Sequence, residues 1–336
     1  MIRVAINGFG RIGRIAFREM ITGRDFDIVA VNDLSNAEEL AYLLKYDTNH
    51  RSFHEDEISF DNDNIVIAGK KRVKVLSEAD PSKLPWEKLN IDVVLECSGR
   101  FTKYEDAYKH ITAGARHVVI SAPGKGDMKT IVYGVNDSIL DGSEEVISAA
   151  SCTTNCLAPV LDVIEKNIGI RKGYMSTVHA YTNDQATLDI HHSKGIMARR
   201  GRACAQNIVP ASTGAASAIG KVIPSLLGKM DGMAFRVPVS CGSVVDLTLE
   251  LEKDVSKEKL NDLLRNNQSE ALRVCEDPIV SSDVLGKKCG ALVDLLSTNV
   301  LETESGSLVK VVAWYDNEMG YTAQMLRTAK ALIKEK

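Results

Sequence analysis

The chain has 336 residues, 44% of them hydrophobic and 26% charged, with a formal net charge of −4. That length suits two domains, each large enough to bury its own core. The charge balance excludes the basic footprint of a nucleic-acid or anionic-membrane binder, and no apolar run approaches the roughly 20 residues of a membrane-spanning helix.

The opening residues, MIRVAINGFG, enter a strand pattern at once and show no signal-peptide character, so a cytoplasmic location is expected. Through the first half, short β-rich runs alternate with helical periodicity. Strands are predicted at residues 2–7, 28–32, 65–67, 72–75, 92–97, 118–121, 131–134 and 146–148, and helices at 14–21 and 37–44. Several of these runs are continuously apolar, as parallel strands buried on both faces require. The expected architecture is α/β, a doubly wound, mostly parallel Rossmann-type sheet.

Beyond about residue 151 the pattern changes. Residues 243–251, SVVDLTLEL, alternate strictly, with Val245, Leu247, Leu249 and Leu251 on one face. Residues 174–181 and 308–315 are also strand-like, so a second, α+β domain on an antiparallel or mixed sheet is predicted. Residues 256–264 read as a helix capped by Ser256, with Leu260, Leu263 and Leu264 as its apolar stripe. The last helix, residues 320–334, could return to either domain. The polar, basic stretch 181–204 has no period, and a loop of that length inside a domain is usually functional.

Gly8-Phe9-Gly10-Arg11-Ile12-Gly13 follows the strand IRVAIN and opens a helix, and Asp33 lies 20 residues past Gly13 at the end of the next strand. This spacing is a dinucleotide fingerprint: glycines let backbone approach the pyrophosphate, which sits at a helix N-terminus. Asp33 can accept from an adenosine ribose and would repel a 2′-phosphate, which favours NAD over NADP.

Seven cysteines, at 97, 152, 156, 204, 241, 275 and 289, are an odd number without a secretory signal, so reduced thiols are expected. Zinc fits poorly. There is no second cysteine pair, and the adjacent rings of His191 and His192 would diverge, so no metal is expected. Cys152 follows a strand and precedes Leu157, Val160, Leu161 and Ile164 at helical spacing, which puts it near a helix N-terminus. Backbone N–H groups there favour a thiolate or an oxyanion. The base should be a histidine. His50, His54, His110 and His117 read as surface or capping residues, whereas His179 closes the strand YMSTVHA and opens the polar loop.

GFGRIG, LLKYDTNH, SAPGKG, ASCTTNC, TVHAYTNDQ, IVPASTGAA, FRVP and WYDNEMGY occur in the order found in phosphorylating glyceraldehyde-3-phosphate dehydrogenases, which the chain resembles over essentially its whole length. The resemblance implies a homotetramer with an NAD-binding domain at residues 1–151, a catalytic domain at 152–316, and a C-terminal helix at 317–336 packing back on the first. It implies Cys152 as nucleophile and His179 as base. Contacts with substrate phosphate and inorganic phosphate map to Ser151, Thr153, Thr182, Asp184, Arg200, Thr213, Gly214 and Arg236, and cofactor contacts to Arg11, Ile12, Asp33, Ser121 and Asn317. The implied reaction oxidises D-glyceraldehyde 3-phosphate to 1,3-bisphosphoglycerate with NAD and phosphate, through a hemithioacetal and a thioester. Erythrose-4-phosphate dehydrogenase shares ASCTTNC and is the nearest alternative; a non-catalytic NAD-binding sensor is the alternative of another class. His191, Ala79, Met319 and the turn Ser240-Cys241-Gly242 depart from the family's usual pattern.

Overall fold

The computed structural model describes residues 1–193, 195–303 and 306–333. Two compact units emerge. One comprises residues 1–133, 137–151 and 325–336; the other comprises 134–136 and 152–324.

In the first unit the elements run β1 (Ile2–Asn7), α1 (Arg11–Thr22), β2 (Phe26–Asn32), α2 (Ala37–Lys45), β3 (Ile58–Asp61), β4 (Asn64–Ile67), β5 (Lys71–Leu76), β6 (Val93–Glu96), α3 (Tyr104–Ala107), α4 (Lys109–Thr112), β7 (His117–Ile120) and β8 (Val146–Ser148). They build one eight-stranded sheet of order β3-β4-β5-β2-β1-β6-β7-β8. From β5 to β8 all pairings are parallel, and only the β3-β4-β5 edge is antiparallel. Val93, Val94 and Leu95 are fully buried, the two-sided burial that a continuous apolar run encodes. Helix α2 starts where Asn36 accepts a hydrogen bond from Glu39 N–H, an ordinary N-cap.

Two expectations fail in this unit. Residues 131–134 form no strand; an isolated bridge pairs Thr130 with Ser148. Ile131 and Val132 look like a strand because both are fully buried. His110 is neither surface nor cap: it is 0% exposed.

The second unit runs α5 (Cys152–Asn167), β9 (Ile170–Ala180), β10 (Val209–Ser212), α6 (Ala215–Val222), β11 (Met230–Val237), β12 (Ser243–Leu251), α7 (Lys257–Asn266), β13 (Leu272–Cys275), β14 (Ala291–Thr303) and β15 (Gly306–Tyr315), and takes the start of α8 (Met319–Leu332), up to Gln324. Its seven-stranded sheet has order β10-β11-β9-β12-β15-β14-β13. The sheet is mixed: β9 pairs parallel with β11 and antiparallel with β12. Alternate residues of β12 are buried, matching the period in SVVDLTLEL. Helix α5 is buried almost all round and carries Pro159 inside it. Proline lacks the N–H that would bond Asn155 O, and Gly290 packs so close to that carbonyl that a Cβ would lie 2.5 Å from it. The division between units falls within α8, after Gln324. Residue 334, the expected end of that helix, lies outside the described residues.

Candidate active site

In the first unit the glycine motif forms the turn between β1 and α1. Gly8 has φ +92°, and a Cβ there would lie 2.5 Å from Ser98 N and Cα; one on Gly13 would lie 2.3 Å from Gly8 O. These two glycines are demanded by close packing. Gly10 caps α1, and a Cβ on it would meet nothing within 4 Å, so this turn leaves room for a ligand. A cavity of about 270 Å³ opens here, bordered by Gly8, Gly10, Asp33, Glu78, Ser98 and Arg100. The Asp33 carboxylate accepts from Phe9 N (2.7 Å) and Ser35 N (3.2 Å), which fixes it at the end of β2 facing that cavity. Glycine backbone and a helix N-terminus offer the donors, and the carboxylate an acceptor, that a dinucleotide needs.

Arg11 and Ile12 open α1, so their backbone belongs to the helix N-terminus. The Arg11 guanidinium turns to Asp47, the aspartate of LLKYDTNH, with Nη2 donating to Oδ1 at 3.1 Å. Burial alone would raise the Asp47 carboxyl; the Arg11 hydrogen bond and His50 N–H overcome it and hold the group down to about 2. Ser121 lies just past β7 and donates its N–H to Glu96 O.

In the second unit Cys152 is the first residue of α5. Its Sγ lies 3.4 Å from Nε2 of His179, near the end of β9. The preceding Ala150 has φ +58°, a left-handed conformation uncommon for alanine, in the turn that delivers the thiol to the helix start. Parallel register sets Arg236 of β11 directly beside His179. Arg236 Nη1 lies 2.8 Å from His179 Nδ1, 2.9 Å from Ala180 O and 3.2 Å from Thr182 Oγ1. His179 Nδ1 is itself 2.7 Å from Ala180 O. Arginine only donates and a carbonyl only accepts, so a proton on Nδ1 goes to Ala180 O. That tautomer leaves the Nε2 lone pair facing the thiol; in the other, Nδ1 accepts from Arg236 at 2.8 Å and the Nε2 proton faces the sulfur.

Burial pushes the Cys152 thiol up, opposed by the charge of Arg236 and hydrogen bonds from Thr153. Burial and then Arg236 push His179 down to about 3. Both shifts favour the neutral forms of thiol and imidazole, and an imidazole 3.4 Å from the sulfur is placed to take its proton as sulfur forms a bond. The helix N-terminus favours the thiolate, as the sequence implied, and burial outweighs it. All seven cysteines are free thiols. Cys156, one turn on, is fully buried and donates to Ala313 O at 3.7 Å. Cys97 is pushed up to about 12, chiefly by burial.

Around this pair, Thr182 Oγ1 donates to Asp184, and Arg200 forms an ion pair with Asp184. Arg236 Nε is buried and makes no hydrogen bond among the described residues, an unspent cationic donor suited to an anion. Thr213 and Gly214 stand at the start of α6, where Thr213 Oγ1 accepts from Ala215 N at 3.2 Å. Ser151 directly precedes the thiol. Thr153 is less available: its hydroxyl is 2.9 Å from Tyr315 Oη. Asn317 is buried, its Oδ1 accepting from Gly242 N and Ser243 Oγ at 3.1 Å each, which fixes the amide.

Tyr315 was missed by the sequence reading. Its hydroxyl also lies 2.8 Å from Thr177 Oγ1, and its ring stands edge-on to His179 at 5.8 Å. The alternation of β15 held a signal, since Tyr315 shares the buried face with Val309, Val311 and Ala313. A cavity of about 510 Å³ is bordered by Ile190, Ile196, Arg202, Ile208 and Pro210 and by neither Cys152 nor His179.

A dinucleotide-binding unit and a thiol–imidazole pair on one chain are the features of an NAD-dependent oxidoreductase. The family descriptions "Glyceraldehyde 3-phosphate dehydrogenase, NAD binding domain" and "Glyceraldehyde 3-phosphate dehydrogenase, C-terminal domain" match residues 2–104 and 151–317. The chain is 53% identical over 334 residues to glyceraldehyde-3-phosphate dehydrogenases of Clostridium pasteurianum and Clostridium acetobutylicum, covering 99% of both partners in each case. With that of Streptococcus pyogenes it is 48% identical over 335 residues, again 99% of each. The chain belongs to the glyceraldehyde-3-phosphate dehydrogenase family.

Proposed function

We propose that the chain oxidises D-glyceraldehyde 3-phosphate to 1,3-bisphosphoglycerate with NAD and inorganic phosphate. The observation that carries this reading is Cys152 Sγ at 3.4 Å from a neutral His179 Nε2, with Arg236 alongside. In the proposed sequence Cys152 attacks the aldehyde carbon, its proton passes to His179, and a hemithioacetal forms. His179 returns that proton to the new oxygen and takes it back as the C–H bond breaks. NAD, when bound, supplies the hydride acceptor. Phosphate then cleaves the Cys152 thioester, sulfur being a far better leaving group than a serine oxygen, and the thiol is restored. Arg236 and Arg200, with Thr182, Asp184, Ser151, Thr213 and Gly214, are the proposed holders of the two phosphate groups; the unspent Arg236 Nε supports this. Ser121 and Asn317 are proposed cofactor contacts. Phosphate-dependent NADH formation from glyceraldehyde 3-phosphate, with Cys152→Ser as control, is the test. Turnover at full rate without phosphate would count against it and favour the erythrose-4-phosphate reading.

We further propose a cytoplasmic homotetramer. Ile190, Ile196, Met197 and Ile208 stand 66–92% exposed, an apolar surface that asks for cover. Among the described residues no helix is long and apolar enough to cross a membrane.

A further inference from the structure

We propose that Glu96 is the positioning residue of the dinucleotide cradle, its buried carboxylate holding Asn7 and Ser98 in the arrangement that receives the cofactor. This rests on the NAD-binding reading of the first unit. Glu96 is 1% exposed and ends β6. Four donors converge on its two oxygens: Asn7 Nδ2 at 2.5 Å and His110 Nε2 at 3.0 Å on Oε2, Ser98 N at 2.9 Å and Ser98 Oγ at 2.5 Å on Oε1. Only an ionised carboxylate accepts all four. His110 cannot be the acceptor in its pair with Glu96, because its Nδ1 already accepts from Trp86 Nε1 at 2.9 Å. The tautomer is fixed, with the Nε2 proton directed at Glu96.

The network reaches the cofactor side through residues that border the cavity. Asn7 Oδ1 accepts from Asn32 Nδ2 at 2.7 Å, and Asn32 in turn bonds Glu78 O and N at 2.8 and 2.9 Å. Ser98 backbone is the surface on which the Gly8 turn rests, closer than any Cβ would allow. One carboxylate therefore fastens the ends of β1 and β2 and the segment after β6, three neighbours in the sheet. A buried charge is costly, and an apolar core would serve packing alone at least as well. Fixing polar groups in one arrangement is what a fully satisfied charged network adds.

The experiment is Glu96→Gln. Glutamine keeps the shape and places an N–H₂ either against Asn7 Nδ2 and His110 Nε2 together or, flipped, against Ser98 N, donors in each case. The dissociation constant of NAD, measured by calorimetry on the folded protein, should rise about tenfold, the scale of one charge-assisted hydrogen bond. KM for NAD should rise with it while kcat at saturating NAD changes little. With Trp314→Phe leaving Trp86 as the only tryptophan, the indole emission should shift in Glu96→Gln as His110 changes partner. A merely structural Glu96 would lower the melting temperature and leave the NAD dissociation constant unchanged, which overturns the proposal. Should Glu96→Gln not fold, Ser98→Ala removes one bond to the same carboxylate. A rise of about threefold supports the proposal, and wild-type affinity overturns it. If the wild-type chain itself fails to bind NAD, the underlying cofactor reading falls instead.

Discussion

Replacing Gly10 with alanine adds one methyl group to open space, whereas the same change at Gly8 drives a methyl into backbone. At Gly10 φ is −72° and ψ −158°, accessible to any residue, and a Cβ meets nothing within 4 Å. Stability without NAD should hold or rise by up to about 1 kcal/mol, since alanine narrows the unfolded ensemble. A ligand filling that space meets an over-packed contact costing about 1–3 kcal/mol, which weakens NAD binding by about 5- to 150-fold. At Gly8 φ is +92° and Ser98 N and Cα lie 2.5 Å from the added Cβ, about 0.9 Å short of ordinary contact. The left-handed penalty of about 1–2 kcal/mol and strain of about 1–3 kcal/mol add to a loss of about 2–5 kcal/mol before any ligand is present. Thermal melts with and without NAD, paired with calorimetric titration, separate the two effects. Gly10→Ala binding NAD with wild-type affinity would refute the reasoning, since the open space would then not be ligand space.

Three further outcomes are expected. His179→Asn should lower kcat by about 10²- to 10⁴-fold, the range of general-base catalysis, and slow iodoacetamide alkylation of Cys152 at neutral pH; unchanged alkylation would count against the pairing. Asp47, held down to about 2 from the ordinary carboxyl value, contributes about 2 kcal/mol of stability that is present above pH 4 and lost as pH falls toward 2. Asp47→Asn should remove that contribution and flatten the acid limb of the stability curve, measured by denaturant unfolding. Tyr315→Phe deletes the hydroxyl shared by Thr153 and Thr177, at about 1 kcal/mol per bond, so a loss of about 2 kcal/mol is expected together with a drop in kcat.

Local pattern carried most of the elements, because alternation in β12 and apolar runs in β6 and β7 report burial directly. It failed where burial comes from distant partners. His110 sits among polar neighbours in YKHITAG, and its place in the core is set by Glu96 and Trp86, 14 and 24 residues away. The contact of Arg236 with His179 is not legible in FRVP, because the parallel register that makes it joins residues 57 apart. Strand β14 drew no expectation at all: its pairing with β15 shifts register between Asp294 and Asn299, which breaks the alternation. Ile131 and Val132 show the converse, apolar and buried without being a strand.

Mixing the protein with glyceraldehyde 3-phosphate and NAD in the absence of phosphate, quenching in acid, and mapping the peptides by mass spectrometry captures the acyl group where it forms. A phosphoglyceroyl thioester on Cys152, discharged when inorganic phosphate is added, is the predicted result. NADH formation with no acyl group on Cys152, or with the acyl group on another cysteine, would contradict the account.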